Sequence, residues 1–187
     1  MIEITGNMWQ PNTYEHIDGT PANITPDAIC ITTNGFIKRN NEAVMGRGCA
    51  KQAADMFPRL KKSFGTKMRK EGNFPHVIYK TDTYDLISFP VKPEAAMYGN
   101  GAHVIKRYKG KFKRKDIVPG WMCTAETDII ERSCKLLNTL VDFQEYKVIV
   151  LPRPGCGAGE LKWTNVKPIL EKHLDNRFYC VTYRKKD

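Results

Sequence analysis

Two short glycine-rich segments stand where phosphate chemistry is done. Met45-Gly46-Arg47-Gly48 and Gly155-Cys156-Gly157-Ala158-Gly159 each follow a β-type run and lead into a helical one. In an α/β sheet, ligands sit beyond the carboxyl ends of the strands, and a chain stripped of side chains lets backbone N–H groups come close to a phosphate. Two such loops facing one crevice would hold a diphosphate. Neither is a phosphate loop of the nucleotide-hydrolase type, because no Lys-Ser or Lys-Thr follows the glycines, and neither reads G-x-G-x-x-G. Tight turns alone would account for the same glycines. A second candidate is cationic: Lys106, Arg107, Lys109, Lys111, Lys113, Arg114 and Lys115 occur without an intervening acid and are interleaved with Tyr108 and Phe112. Cations alternating with rings suit single-stranded nucleic acid, whose phosphates attract the charge and whose bases stack on the rings. A solvated charge run has the same composition.

Metal and thiol chemistry have less support. Cys30, Cys49, Cys123, Cys134, Cys156 and Cys180 include no C-x-x-C pair, and His16, His76, His103 and His173 are not spaced for one helix face, so no metal is expected. Cys156 has no histidine near it in sequence and reads as a small packing residue rather than a nucleophile. No cofactor is expected.

The elements that must position these groups follow from composition and periodicity. A chain of 187 residues with 41% hydrophobic and 27% charged residues has the length and composition of one globular domain, which excludes disordered, collagen-like and repeat architectures. The formal charge of +10 favours a polyanionic partner, and the run at 106–115 supplies most of it. Strands are expected at 2–5, 28–33, 76–79, 84–89, 147–151 and 178–183, and helices at 47–57, 59–69, 127–143 and 163–174. Residues 11–26 read as a loop, and 90–120 as a loop or an irregular hairpin. Strands alternating with helices give an α/β layered domain. Trp121 and Trp163 read as core anchors. The first residues carry an acid and no basic segment before an apolar run, and no stretch approaches the roughly 20 apolar residues of a bilayer span. The expectation is therefore a cytoplasmic monomer with no membrane partner.

Four motifs in order resemble the macrodomain family, the ADP-ribose-binding fold. Residues 2–8 resemble its first strand, and Asp27-Ala28-Ile29-Cys30-Ile31-Thr32-Thr33-Asn34 its Asp-Ala-Ile-hydrophobic strand ending in Asn. Met45-Gly46-Arg47-Gly48-Cys49-Ala50 resembles the first phosphate loop, and Leu151-Pro152-Arg153-Pro154-Gly155-Cys156-Gly157 with Leu161, Trp163 and Val166 resembles the second loop and its helix. The likeness covers nearly the whole chain and leaves out about 93–120, which reads as a basic insertion in a single macrodomain spanning 1–187. The resemblance implies a three-layer α/β/α fold with a mixed, mostly parallel central sheet. It also implies ADP-ribose or an ADP-ribosylated substrate as ligand, with Asn7 and Met8 near the adenine, Asn34 on the distal ribose, and Gly46, Arg47, Gly48 and Cys49 on one side. Arg153, Gly155, Cys156, Gly157, Ala158 and Gly159 would wrap the other side, with Tyr183 by the adenine.

Within the family, Met-Gly-x-Gly, Ser88-Phe89-Pro90-Val91-Lys92 and Pro-Arg-x-Gly-Cys-Gly are most similar to one branch. It contains the human terminal ADP-ribose protein glycohydrolase and the bacterial antitoxins that remove ADP-ribose from thymidine in DNA. That branch implies a catalytic role for Lys92, a nucleophilic amine if burial lowers its pKa, with Asn34 orienting the sugar. The chain departs from the pattern at Asn7, which replaces an acid, and at Gly159, which stands where the human enzyme's pattern has an aspartate, leaving Glu160 as the nearest carboxylate. Three activities follow as expectations: hydrolysis of ADP-ribosyl linkages on protein or nucleic acid, an ADP-ribose 1''-phosphate phosphatase, or a non-catalytic ADP-ribose reader. The resemblance further suggests a bacterial or bacteriophage source, in the latter case acting in the host cytoplasm.

Overall fold

The structure is a computed structural model that describes residues 1–183. In chain order its strands are β1 (Ile2–Thr5), β2 (Glu15–His16), β3 (Ala28–Asn34), β4 (Val77–Lys80), β5 (Asp85–Lys92), β6 (Ala95–Met97), β7 (Ile117–Pro119), β8 (Ile149–Pro152) and β9 (Phe178–Thr182). The helices are α1 (Gly48–Met56), α2 (Leu60–Glu71), α3 (Thr127–Gln144) and α4 (Trp163–His173). Seven strands form one sheet in the order β2-β1-β9-β8-β3-β5-β4. The five inner strands are parallel, and β2 and β4 close the two edges antiparallel.

The central strands carry apolar residues on both faces because both faces of the sheet are covered. Along β3, Ile29 and Ile31 face one core and Ala28 and Cys30 the other. The first core also takes Ala50 and Ala53 of α1 and Leu60, Phe64 and Met68 of α2. The second takes Ile130, Cys134 and Leu137 of α3 and Val166 and Leu170 of α4. The helical apolar spacing read from the sequence is the stripe that meets the sheet. α3 stops at Glu145, which takes a left-handed conformation and returns its N–H to the carbonyls of Val141 and Asp142.

Two regions differ from the sequence expectation. β5 runs through Pro90 to Lys92 instead of ending at Phe89. Its antiparallel partner β4 pairs only as far as Ile87, so the missing N–H of Pro90 falls where that edge is no longer laddered. On the other side the ladder with β3 continues, skipping Val91 so that Asn34 comes opposite Lys92. Ser133 of α3 donates to the Pro90 carbonyl at 2.8 Å, and Asn73 donates to that of Lys92 at 3.0 Å. The end of β5 is thereby fixed from two sides. The stretch 11–26 contains β2, a two-residue edge strand.

The segment 90–120 contains an antiparallel pair, β6 with β7, that closes the long loop between them. Val104, Val118 and Cys123 make a small third core beneath it.

Candidate functional site

Because β1, β9, β8, β3 and β5 are parallel neighbours, their carboxyl ends lie along one edge of the sheet. Four strand steps at about 4.8 Å make that edge about 19 Å long, which suits an elongated ligand. A cleft of about 840 Å³ opens there, within the 300–1,000 Å³ typical of small-molecule sites. Asn7 and Met8 follow β1, Tyr183 follows β9, and Arg153 and the second glycine loop follow β8. Asn34 ends β3 and Lys92 ends β5.

The first glycine loop enters α1 at this cleft. Gly46, Arg47, Gly48 and Cys49 line it, so the positive end of the helix dipole and the first N–H groups of α1, free of a side-chain cap, lie at the cleft. Gly48 has φ +55, a backbone state that an L side chain rarely adopts. Opposite it, Gly155, Gly157, Ala158 and Gly159 form the other wall. A Cβ on Gly159 would stand 2.5 Å from the Gly155 carbonyl oxygen and 2.6 Å from Cβ of Ala125. The chain's own packing therefore excludes an aspartate at this position. Cys156 does not line the cleft; its thiol turns to the Pro154 carbonyl at 3.5 Å, and burial raises its pKa. The thiol of Cys49 faces Thr32 at 3.4 Å, and its pKa is likewise raised by burial.

Lys92 is 7% exposed, a rare environment for a lysine without an acid partner. Its Nζ donates to the Ala158 carbonyl at 2.8 Å. Burial lowers its pKa from 10.5 to about 8, with Cys123 and Glu160 pulling weakly the other way. Asn34 is locked in place: Nδ2 donates to Val44 O at 2.9 Å and Oδ1 accepts from the Phe36 N–H at 3.0 Å, which leaves one amide hydrogen and one lone pair unused. The side-chain Oδ1 of Asn7 accepts from the Trp9 N–H at 3.1 Å and keeps a second lone pair. Arg153 lines the cleft but is held by Glu3 at 3.2 Å and lies over the Trp163 ring at 4.7 Å. Tyr183 is 73% exposed, at the mouth.

Among the described residues the lining holds five cations, Lys38, Arg47, Lys92, Arg107 and Arg153, and neither a carboxylate nor a histidine. Arg107 is the member of the basic run that reaches the cleft; Lys106, Lys109, Lys111, Lys113, Arg114 and Lys115 lie outside its lining and are exposed. The insertion also contributes Ile105, Tyr108 and Pro119, so it is a wall of the cleft. Trp121, expected as a core anchor, is half-buried in that wall, edge-on to Tyr108 with ring centroids 5.4 Å apart. Sequence reasoning also missed Phe36 and Gln52, which line the cleft. Gln52 had a readable signal, since it lies one helical turn after Gly48 and Cys49 on α1.

Solved structures share this architecture. The macrodomain of Thermus aquaticus DarG superposes with a TM-score of 0.61 at 17% identity, over 98% of this chain and 97% of that one. The macrodomain of Mycobacterium tuberculosis DarG gives 0.58 at 15% identity, over 88% and 92%. Thermosipho africanus DarTG in complex with ADP-ribose gives 0.58 at 17% identity, over 87% of this chain and 39% of that one. No protein-family model and no curated protein matches the sequence. The chain has the macrodomain fold. Among the described residues no helix is long and apolar enough to cross a membrane.

Proposed function

We propose that this protein binds ADP-ribose and hydrolyses ADP-ribosyl linkages, with Lys92 as the reacting amine. The observation that carries the reading is the buried amine of Lys92 in a cationic cleft whose described lining contains no acid or histidine. The fold shared with a protein solved in complex with ADP-ribose supports the choice of ligand. The ligand's adenine lies toward Asn7, Met8 and Tyr183, its diphosphate between the N–H groups of the two glycine loops, and its distal ribose before Asn34 and Lys92. The backbone donors and the α1 N-terminus stabilise the phosphates, and the spare amide hydrogen and lone pair of Asn34 orient the ribose hydroxyls.

A pKa near 8 leaves about a tenth of the amine neutral at pH 7, against fewer than about one part in a thousand for an ordinary lysine. The neutral nitrogen forms a bond to the anomeric carbon as the bond to the leaving group breaks and that group departs with the electron pair. The proton shed by nitrogen goes to the leaving group or to solvent. Ring opening converts the adduct to a Schiff base, and water hydrolyses it to ADP-ribose and the free amine.

The seven cations of the insertion form no ion pair among the described residues, which leaves them available to phosphates and favours a nucleic-acid substrate over a protein one. The absence of a carboxylate among the described lining residues also favours a second reading, a reader that binds ADP-ribose without turning it over. Incubation with ADP-ribosylated protein, thymidine-ADP-ribosylated DNA and ADP-ribose 1''-phosphate, beside Lys92→Ala and Asn34→Ala, separates the cases. Release of ADP-ribose from the first or second substrate, lost in Lys92→Ala, is the expected result. Binding with no release makes the protein a reader, full activity in Lys92→Ala removes the lysine chemistry, and turnover of the phosphate alone makes it a phosphatase.

A further inference from the structure

We infer that Glu160 is a positioning residue: its carboxylate fastens the basic insertion to the second glycine loop and so makes Arg107 and Tyr108 a wall of the cleft. The consequence for ligand binding rests on the ADP-ribose reading above.

Both carboxylate oxygens of Glu160 accept from the Lys106 N–H, at 3.0 and 3.1 Å. Lys106 is followed directly by Arg107 and Tyr108, which line the cleft. Tyr108 lies edge-on to Trp121, with Arg107 5.7 Å and Lys111 5.3 Å from its ring centroid. The base of the insertion is tied down independently, by Ile105 N–H to the Met122 carbonyl and Thr124 N–H to the His103 carbonyl. Beyond it, the backbone bonds of Tyr108, Lys109, Lys111, Lys115 and Asp116 stay within the insertion. Among the described residues, the Glu160 bond is the one that crosses from this segment to the glycine loop.

Lys92 donates to Ala158, two residues before Glu160. The latch therefore sets the insertion against the same loop that holds the amine. Glu160 itself has φ +62 in a loop otherwise rich in glycine. Glycine adopts that conformation freely, whereas glutamate does not, so the backbone alone gives no reason for a glutamate there. The side chain supplies the reason.

The left-handed backbone also provides the test. In Glu160→Gly the backbone relaxes while the latch is lost, and in Glu160→Gln an amide oxygen remains to accept from the Lys106 N–H. The full-length variants are compared in trypsin digestion, which reads exposure of residues 106–115, and in calorimetric titration with free ADP-ribose. Glu160→Gly is expected to melt no lower than the wild type, yet to be cut in the insertion about fivefold faster and to bind ADP-ribose about fivefold more weakly, the loss of about one hydrogen bond. Glu160→Gln should stay within about twofold of the wild type in both readouts. Wild-type digestion and affinity in Glu160→Gly, or a Glu160→Gln protein as impaired as Glu160→Gly, overturns the latch. A wild-type protein that fails to bind ADP-ribose overturns the proposed function and the binding consequence drawn here, while the digestion rates still decide whether the latch exists.

Discussion

Replacing Lys92 with methionine should make the protein more stable at neutral pH while removing its chemistry. In the folded chain the amine is buried and its pKa falls from 10.5 to about 8, while the unfolded chain keeps the ordinary value. Between those values the unfolded state binds more protons, so this group's contribution to stability rises with pH across the window, and the deficit is fully present below about 8. At about 1.4 kcal/mol per pKa unit the deficit is about 3 kcal/mol. Methionine fills a similar volume without charge, but it gives up the 2.8 Å bond to the Ala158 carbonyl, a loss of about 1 kcal/mol. The net gain is about 2 kcal/mol at pH 7, or about 4–8 °C in Tm for a chain of this size. Urea unfolding of both proteins, from about pH 6 to about pH 11, measures the difference directly. The advantage of Lys92→Met should shrink through the window, pass through zero within it and reverse by about 1 kcal/mol at its alkaline end, where the amine is neutral in both states and only the lost hydrogen bond remains. A variant less stable than the wild type at pH 7, or a difference that does not change with pH, would refute the burial argument and the neutral-amine mechanism with it.

Two further perturbations test the cleft walls. Gly159→Ala places a Cβ 2.5 Å from the Gly155 carbonyl oxygen; thermal unfolding should show a loss of about 1–3 kcal/mol, and calorimetry an ADP-ribose affinity reduced about tenfold, with an unchanged Kd removing this loop from the site. Neutralising Lys111, Lys113 and Arg114 together should weaken single-stranded DNA or RNA binding and flatten its log–log salt slope by about 2, at about 0.7 for each phosphate that no longer meets a cation. Titrations across salt concentrations that superpose on the wild type would leave those cations merely solvated.

What could be read from the sequence was whatever its local pattern determines. The strands at 28–33 and 147–151 are apolar on both faces because they lie mid-sheet, and α3 shows its stripe because one face packs and the other is wet. The two glycine loops were recognisable because exposed backbone has few sequence solutions. Features set by distant partners could not be read. β6 and β7 are three residues each and find one another across a long loop, leaving too little alternation to signal either. The extension of β5 through Pro90 depends on where β4 stops pairing. Trp121 looked like a core residue because a large aromatic carries no mark of whether its apolar neighbours form a core or a ligand wall. Cys156 sits in the right loop, but the turn of the chain at Pro154 directs its thiol away from the cleft.

The same distinction changes the meaning of the charge. In the sequence the basic run and the glycine loops are separate features, one suggesting a polyanion and the other a diphosphate. In the fold they meet, because Glu160 follows the second loop and binds the first residue of the run, and Arg107 and Tyr108 turn into the cleft beside the amine's loop. The missing aspartate has a related cause. Gly159 packs so tightly on Gly155 and Ala125 that no carboxylate can stand there, and the next acid, Glu160, spends both oxygens on the insertion. Among the described residues, the lining of a cleft built this way has cations and no acid. Under the proposed function, proton transfer or nucleophilic attack near neutral pH falls to the group among the described lining residues that burial has brought into range, the amine of Lys92.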